Sequence, residues 1–118
     1  MTKALVLNDG RPLMDKLAEF LKVVDAKIGL EKVLLFGSTA KHKRKNESDI
    51  DLIIVSKSFK GLSSLERGNI LLEDWSFVEE LDLLMYTPEE FEKVSKRPLV
   101  KEMIADALNL TLKKARHG

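Results

Sequence analysis

Two segments of the chain, VLLFGS at residues 33–38 and DIDLIIV at residues 49–55, decide its fold. Each segment contains a short run of mostly branched aliphatic residues, which predicts a buried β-strand. The first strand leads directly into a Gly-Ser turn. The second begins with two aspartates that are separated by one residue. Ten residues, 39–48, connect the two segments.

The two aspartates, Asp49 and Asp51, are predicted to share one face of the sheet, because side chains alternate along a strand. Neighbouring carboxylates repel each other, and at the mouth of an apolar strand they are also partly desolvated. A divalent cation relieves both penalties. Mg²⁺ suits the pair because it prefers hard oxygen ligands and keeps coordination positions for substrate phosphates. The pair therefore predicts a magnesium site.

The Gly-Ser turn predicts an anion site beside that metal. Gly37 allows a ligand to approach the backbone closely, and Ser38 can open a short helix whose first amide groups point outward. Such a helix start binds phosphate groups well. If Ser38 and Asp49 contact one ligand, the first strand must end beside the start of the second. The two strands then run antiparallel, so we expect a mixed sheet.

A third strand is predicted over residues 78–86, and it carries a lone carboxylate, Asp82. An unpaired charge in the middle of a buried strand is costly. An edge position or a salt bridge to a lysine would explain Asp82 without any function. The neighbouring pattern of Asp49 and Asp51 instead favours a metal site that the three carboxylates share.

These motifs together resemble the polymerase-β-type nucleotidyltransferase superfamily, and within it the minimal nucleotidyltransferase (MNT) family of small stand-alone proteins. The resemblance rests on Gly37 and Ser38, on Asp49 and Asp51, and on Asp82, and it spans most of the chain. It implies an α/β (α+β) nucleotidyltransferase fold. In that fold a small mixed sheet of three to four strands has helices packed mainly on one face. We expect residues 1–118 to form a single domain of this kind.

The resemblance also implies a role for each of these residues. Asp49 and Asp51 would bridge two Mg²⁺ ions. Asp82 would complete the coordination of the ion nearer the acceptor hydroxyl and help to orient or deprotonate that hydroxyl. Gly37 and Ser38 would hold the β- and γ-phosphates of ATP. The implied reaction transfers AMP to a hydroxyl and releases pyrophosphate. Positioning and cationic stabilisation carry most of the rate of such a reaction.

The partner implied by the resemblance is a small helical HEPN-type toxin. Stand-alone proteins of this kind resemble the antitoxin of a toxin–antitoxin pair, and the resemblance implies adenylylation of a tyrosine on the toxin. Two other functions stay open. The chain could be a non-catalytic module that neutralises a partner by contact. It could also transfer a nucleotide to a small molecule or an RNA end, with a pocket completed in a homo-oligomer.

The loop between the first two strands is basic, with the sequence KHKRK at residues 41–45. Such a run is either a solvated surface or a set of contacts to a triphosphate or an acidic partner. His42 stands where the resembling family usually has a glycine, and this departure can change the shape of the loop and narrow the nucleotide pocket.

Composition excludes several other classes of protein. The chain has 44% hydrophobic and 33% charged residues, which argues against disorder and against a membrane protein. Its net charge of +1 gives no overall field that attracts nucleic acid, so a nucleic-acid partner is not favoured. The sequence has no cysteine and therefore no thiolate metal site. Without a signal-peptide core or an apolar segment of membrane length, we expect a cytoplasmic protein.

Helices are predicted around these strands. Apolar residues at helical spacing follow Pro12 and end at Gly29, and residues 87–90 (TPEE) form a capping pattern that opens a later helix. Another helix is predicted to start at Pro98. Beyond it, leucines at positions 108, 110 and 112 alternate, which predicts that the tail leaves the helix as a strand or an arm.

Overall fold

The computed structural model describes residues 3–5, 12–36, 50–76 and 80–114. A turn of 3₁₀-helix, Lys57–Phe59, follows the third strand. The helices and strands in chain order are β1 (Lys3–Leu5), α1 (Pro12–Ile28), β2 (Lys32–Phe36), β3 (Ile50–Val55), α2 (Ser64–Leu72), β4 (Leu81–Tyr86), α3 (Pro88–Val94), α4 (Pro98–Ala105), β5 (Leu108–Asn109) and β6 (Leu112–Lys114).

Four of the strands form one mixed sheet in the order β4-β3-β2-β5. Strand β2 is antiparallel to both β3 and β5, whereas β3 and β4 are parallel. A parallel pair needs a crossover connection, and α2 lies in the connection between β3 and β4. The predicted antiparallel pairing of the first two long strands is confirmed, and so is the mixed α/β sheet. Strands β1 and β6 form a separate antiparallel pair.

The main hydrophobic core lies between one face of the sheet and the helices α1 and α2. Every second residue of β2 and β3 points into it, as the alternation along a strand requires. The ring of Phe20 packs edge-on against Trp75 at a centroid distance of 5.1 Å. The buried members of this core are Met14, Leu17, Phe20, Leu21, Val24, Leu30, Val33, Leu35, Ile50, Leu52, Ile54, Phe59, Leu71 and Leu110.

A smaller cluster lies on the opposite face of the sheet, which α3 and α4 cover in part. Leu34, Ile53 and Val55 are its buried centre, and Phe91 of α3 and Ile104 of α4 pack against them. Phe36 and Tyr86 also belong to this cluster. The intervening side chains of β3 and β4, Asp51 and Asp82 among them, therefore point to this second face.

Serine hydroxyls and a buried carboxylate fix the C-terminal end of α1. Gly29 adopts a positive φ of 77°, which few other residues tolerate. The carboxylate of Asp25 accepts a hydrogen bond from the Leu30 N–H at 2.8 Å. The hydroxyls of Ser56 and Ser58 donate to the carbonyls of Gly29 and Ile28, each at 2.6 Å. Carbonyls that the helix itself leaves unsatisfied are thus bonded to the segment that follows β3.

Two predicted boundaries can be compared with the structure. The third long strand, predicted over residues 78–86, begins at Leu81 in the structure. Glu80 is not in a strand, and residues 77–79 lie outside the described ranges. The alternating leucines do leave the helix, since α4 ends at Ala105 and Leu108–Asn109 pairs with β2. None of the helices that the structure describes is long and apolar enough to span a membrane.

Candidate functional site

Three residues form a row across neighbouring strands at one end of the sheet. Phe36, the last residue of β2, pairs with Asp51 of β3, and Asp51 pairs with Asp82 of β4. The row therefore lies where β2 ends and where β3 and β4 begin. Neighbouring strands are about 4.8 Å apart, and residues in register point to the same face. The carboxylates of Asp51 and Asp82 are consequently side-by-side neighbours.

Hydrogen bonds along the pair of parallel strands hold this register. The N–H of Ile50 donates to the carbonyl of Glu80 at 2.8 Å, just before the row. At the other end of the pair, the N–H of Ser56 donates to the carbonyl of Tyr86 at 3.0 Å. A slip of one residue would break these bonds and turn the apolar side chains of β4 to the wrong face. Asp82 is therefore held opposite Asp51.

The environment of the two carboxylates fits a hydrated cation. Asp51 is half-buried and Asp82 is exposed. Like charges on adjacent strands destabilise each other, and water screens this repulsion only in part. Two hard oxygen donors on an accessible face can share a Mg²⁺ ion, which usually keeps several waters and binds substrate phosphates. The donor set thus suits Mg²⁺ better than a soft or fully enclosed metal.

The other predicted site residues belong to the segment between β2 and β3. Asp49, Gly37 and Ser38 lie outside the described residues, as does His42 in the basic loop. The described ranges on their own contain no group of three or more metal-binding side chains. Strand β2 ends at Phe36 and β3 begins at Ile50. In sequence, Gly37 and Asp49 directly adjoin these two residues at the acidic end of the sheet.

The expected burial of Asp82 is wrong. Strand β4 lies at an edge of the sheet that the described residues form, and the Asp82 side chain is exposed. Water can therefore solvate the charge, and burial gives no reason for a metal at this position. Within the part of the chain that the structure describes, Asp82 forms no salt bridge to a lysine either. Its register opposite Asp51 is the observation that connects it with the candidate site.

Sequence analysis did not identify Arg67, which is buried with 8% of its surface exposed. Its guanidinium donates to the carbonyl of Met85 at 2.9 Å and to both carboxylate oxygens of Glu90 at 2.7 and 3.1 Å. The bonds from Arg67 to Glu90, followed by one from the Thr87 N–H, lower the pKa of Glu90 to about 2. Arg67 thereby ties α2 and α3 to the end of β4 that is remote from Asp82.

Comparison with known proteins points to one family. The family model of the nucleotidyltransferase domain matches residues 17–111, a range that contains most of α1 and all four strands of the main sheet. The crystal structure of a "putative nucleotidyltransferase" from Sulfolobus solfataricus superposes with a TM-score of 0.56 at 20% sequence identity. The match covers 87% of this chain and 89% of that one, and at this identity it shows a shared fold. Comparison with the curated proteins gave no match.

Proposed function

The chain belongs to the nucleotidyltransferase domain family, and from this premise we propose that it transfers AMP from ATP to a hydroxyl acceptor with the help of Mg²⁺. Family membership supports nucleotidyl transfer in general. The choice of AMP and the assignment of residues are our proposal. The observation that carries the proposal is the register of Asp51 opposite Asp82, at the sheet end where β2 finishes.

In the proposed reaction, the acceptor oxygen forms a bond to the α-phosphorus of ATP, and the bond from that phosphorus to the bridging oxygen breaks. Pyrophosphate leaves with the electron pair of the broken bond. Asp82, which is exposed on the edge strand, orients the acceptor hydroxyl and takes up its proton. Asp49, Asp51 and Asp82 would hold two Mg²⁺ ions. When bound, Mg²⁺ neutralises charge on the phosphates and on the leaving group.

Gly37 and Ser38 are proposed to hold the β- and γ-phosphates. Both directly follow β2, whose last residue Phe36 lies beside Asp51. A phosphate held at this turn and a metal held by Asp51 can therefore serve the same triphosphate. The uncharged backbone N–H groups at such a turn would donate hydrogen bonds to the phosphates, in addition to the charge that the cations neutralise.

The acceptor that we propose is a tyrosine of a helical HEPN-type toxin, so that the chain acts as an antitoxin by protein AMPylation. Asp82 faces solvent at the edge of the sheet, where the hydroxyl of a large partner can reach it. The net charge of +1 offers no general attraction to the phosphates of a nucleic acid. Both features favour a protein acceptor over an RNA end.

A labelling experiment tests this function. The protein is incubated with a purified helical partner, labelled ATP and Mg²⁺, beside the variants Asp51→Asn and Asp82→Asn. Glu92→Gln, which removes an exposed charge from α3, is the matched control. Label should appear on the partner with wild type and with the control, and it should fall by about 100-fold or more in the two aspartate variants.

Other outcomes of this experiment would identify other functions. Inhibition of the partner that persists in both aspartate variants, with no label transferred, would show a non-catalytic binding module. Label on RNA or on a small alcohol, but never on protein, would show a different acceptor. Either result would overturn protein AMPylation.

A further inference from the structure

The strand that carries Asp82 is also an open edge of the main sheet, since β4 pairs only with β3 among the residues that the structure describes. We propose that this edge binds an extended segment of the acceptor polypeptide as an additional antiparallel strand, with a tyrosine opposite Leu84 whose hydroxyl reaches Asp82. This docking mode rests on the proposed function, and it adds how the acceptor is held. Pairing at a sheet edge is an established way for proteins to bind peptides.

The backbone of β4 offers free hydrogen-bonding groups next to Asp82. Glu80 and Tyr86 accept hydrogen bonds from β3, so the even-numbered residues of β4 direct their N–H and C=O groups toward β3. Leu81, Leu83 and Met85 then direct theirs toward the open edge. Among the described residues, the groups of Leu81 and Leu83 at this edge have no hydrogen-bond partner.

The side chains of β4 do not protect this edge against pairing. Its sequence, LDLLMY, contains no proline, lysine or arginine, which are common devices against association of edge strands. Its single charge, Asp82, belongs to the candidate site. Leu84 is 41% exposed, although leucines on the other face of β4 pack against the main core. The edge thus combines free backbone groups with an exposed apolar side chain.

Leu84 lies two residues from Asp82 and points to the same face. A residue opposite Leu84 on an added antiparallel strand would have its Cβ roughly 5 Å from the Cβ of Leu84. Asp82 would be its diagonal neighbour, roughly 7–8 Å away, which is within reach of an aromatic side chain. A tyrosine at this position packs its ring on Leu84 and extends its hydroxyl toward Asp82. The geometry therefore selects tyrosine over the shorter serine and threonine.

Arg67 limits what can pair with the edge. Its guanidinium bonds to the carbonyl of Met85, the last of the edge-facing groups. A second copy of this chain, paired through β4 about Leu83, would need that carbonyl for its own Leu81. A short peptide segment needs only the groups of Leu81 and Leu83. The open half of the edge is also the half that lies beside Asp82, so we assign it to the acceptor rather than to a dimer.

Hydrogen exchange provides a direct test. The probes are short blocked peptides with a central tyrosine flanked by valine and threonine, added with Mg²⁺ and a non-hydrolysable ATP analogue. We expect slower amide exchange at Leu81 and Leu83, and no change at Leu84, whose N–H already faces β3. N-methylation of the peptide residue opposite Leu83 should abolish this protection, whereas N-methylation of the tyrosine should preserve it. Unchanged exchange at Leu81 and Leu83 with every peptide would overturn the docking mode.

Kinetics separates this inference from the proposed function. Leu84→Asp should raise the KM for the peptide by roughly tenfold while the KM for ATP stays the same, because docking would then desolvate a carboxylate against the tyrosine ring in place of an apolar contact. Leu84→Met and Leu72→Asp are the controls, since Leu72 is similarly exposed on α2. AMP transfer that is equal in Leu84→Asp and wild type would overturn edge docking alone. Absence of AMP transfer to any acceptor would overturn both proposals.

Discussion

Asp82 is exposed and lies in register with the half-buried Asp51. A substitution that removes its charge should therefore weaken metal binding without destabilising the metal-free protein. Without metal, Asp82→Asn relieves a repulsion, and we predict a free energy of unfolding equal to or slightly above that of wild type. With Mg²⁺ present, only wild type should gain stability. Urea unfolding with and without Mg²⁺ measures both effects. A loss of several kcal/mol without metal would show that Asp82 is a structural residue.

The ion pair of Arg67 and Glu90 predicts a dependence of stability on pH. The pKa of Glu90 is lowered to about 2 by Arg67, and the ordinary value is 4.5. A depressed pKa means that this stabilisation is complete above pH 4.5 and is lost as the pH falls toward 2. Because the Glu90 side chain is 45% exposed, water screens the pair, and we expect Glu90→Gln to cost only about 1–2 kcal/mol at neutral pH.

Urea unfolding at neutral and acid pH checks this expectation, with Glu92→Gln as a control that has no such partner among the described residues. The difference between Glu90→Gln and wild type should shrink toward zero at the acid end. A difference that stays constant over the pH range would exclude the charge of Glu90 as its cause.

Sequence patterns singled out Asp51 and Asp82 as candidate site residues and predicted the capping pair of Thr87 and Glu90, which the structure confirms. Each of these predictions depends on residues close in the chain or on strand alternation. Arg67 could not be found in this way. Its acceptors come from Leu62, Met85 and Glu90, which meet only in the folded chain. The exposure of Asp82 was also missed, since a strand's place at an edge depends on the order of the whole sheet.

At the scale of elements, substitution of two glycines by alanine should change the free energy of unfolding in opposite directions. Gly29 ends α1 with a φ of +77°, so Gly29→Ala should lower the free energy of unfolding by about 1 kcal/mol although its Cβ would meet open space. Gly68 lies within α2, where an added Cβ would meet Met85 Cε at an ordinary 3.9 Å. Gly68→Ala should therefore raise stability by up to about 1 kcal/mol.

Chemical denaturation of the two variants against wild type measures this contrast. Equal effects of the two substitutions would mean that the end of α1 does not depend on the left-handed conformation of Gly29. The start and end of α1 were predicted from Pro12 and Gly29, since local signals fix helix ends. The partial cover of the second face by α3 and α4 was not predicted, because it is a tertiary arrangement.

At the scale of the molecule, the order and direction of the strands bring the end of β2 and the starts of β3 and β4 to one end of the sheet. Binding of Mg²⁺ and ATP should therefore depend on each other. A ligand that binds only the folded state raises the melting temperature by mass action. We predict that Mg²⁺ and ATP together raise it more than either alone, and that Asp82→Asn abolishes the extra rise. ATP binding that is unchanged by EDTA would contradict a metal-dependent site.

The antiparallel neighbours β2 and β3 could be predicted because the proposed ligand required their ends to meet. The parallel partner β4 follows from the crossover through α2, yet its exact register could not be read from the sequence. That register brings Asp82 opposite Asp51 rather than opposite Leu52, and a shift of one residue would have removed the site.

A crystal structure with Mg²⁺ and a non-hydrolysable ATP analogue is the most direct test of the proposed site. We predict an ion about 2.1 Å from carboxylate oxygens of both Asp51 and Asp82, bridged to the triphosphate. An analogue bound elsewhere, or an ion that contacts neither carboxylate, would contradict it.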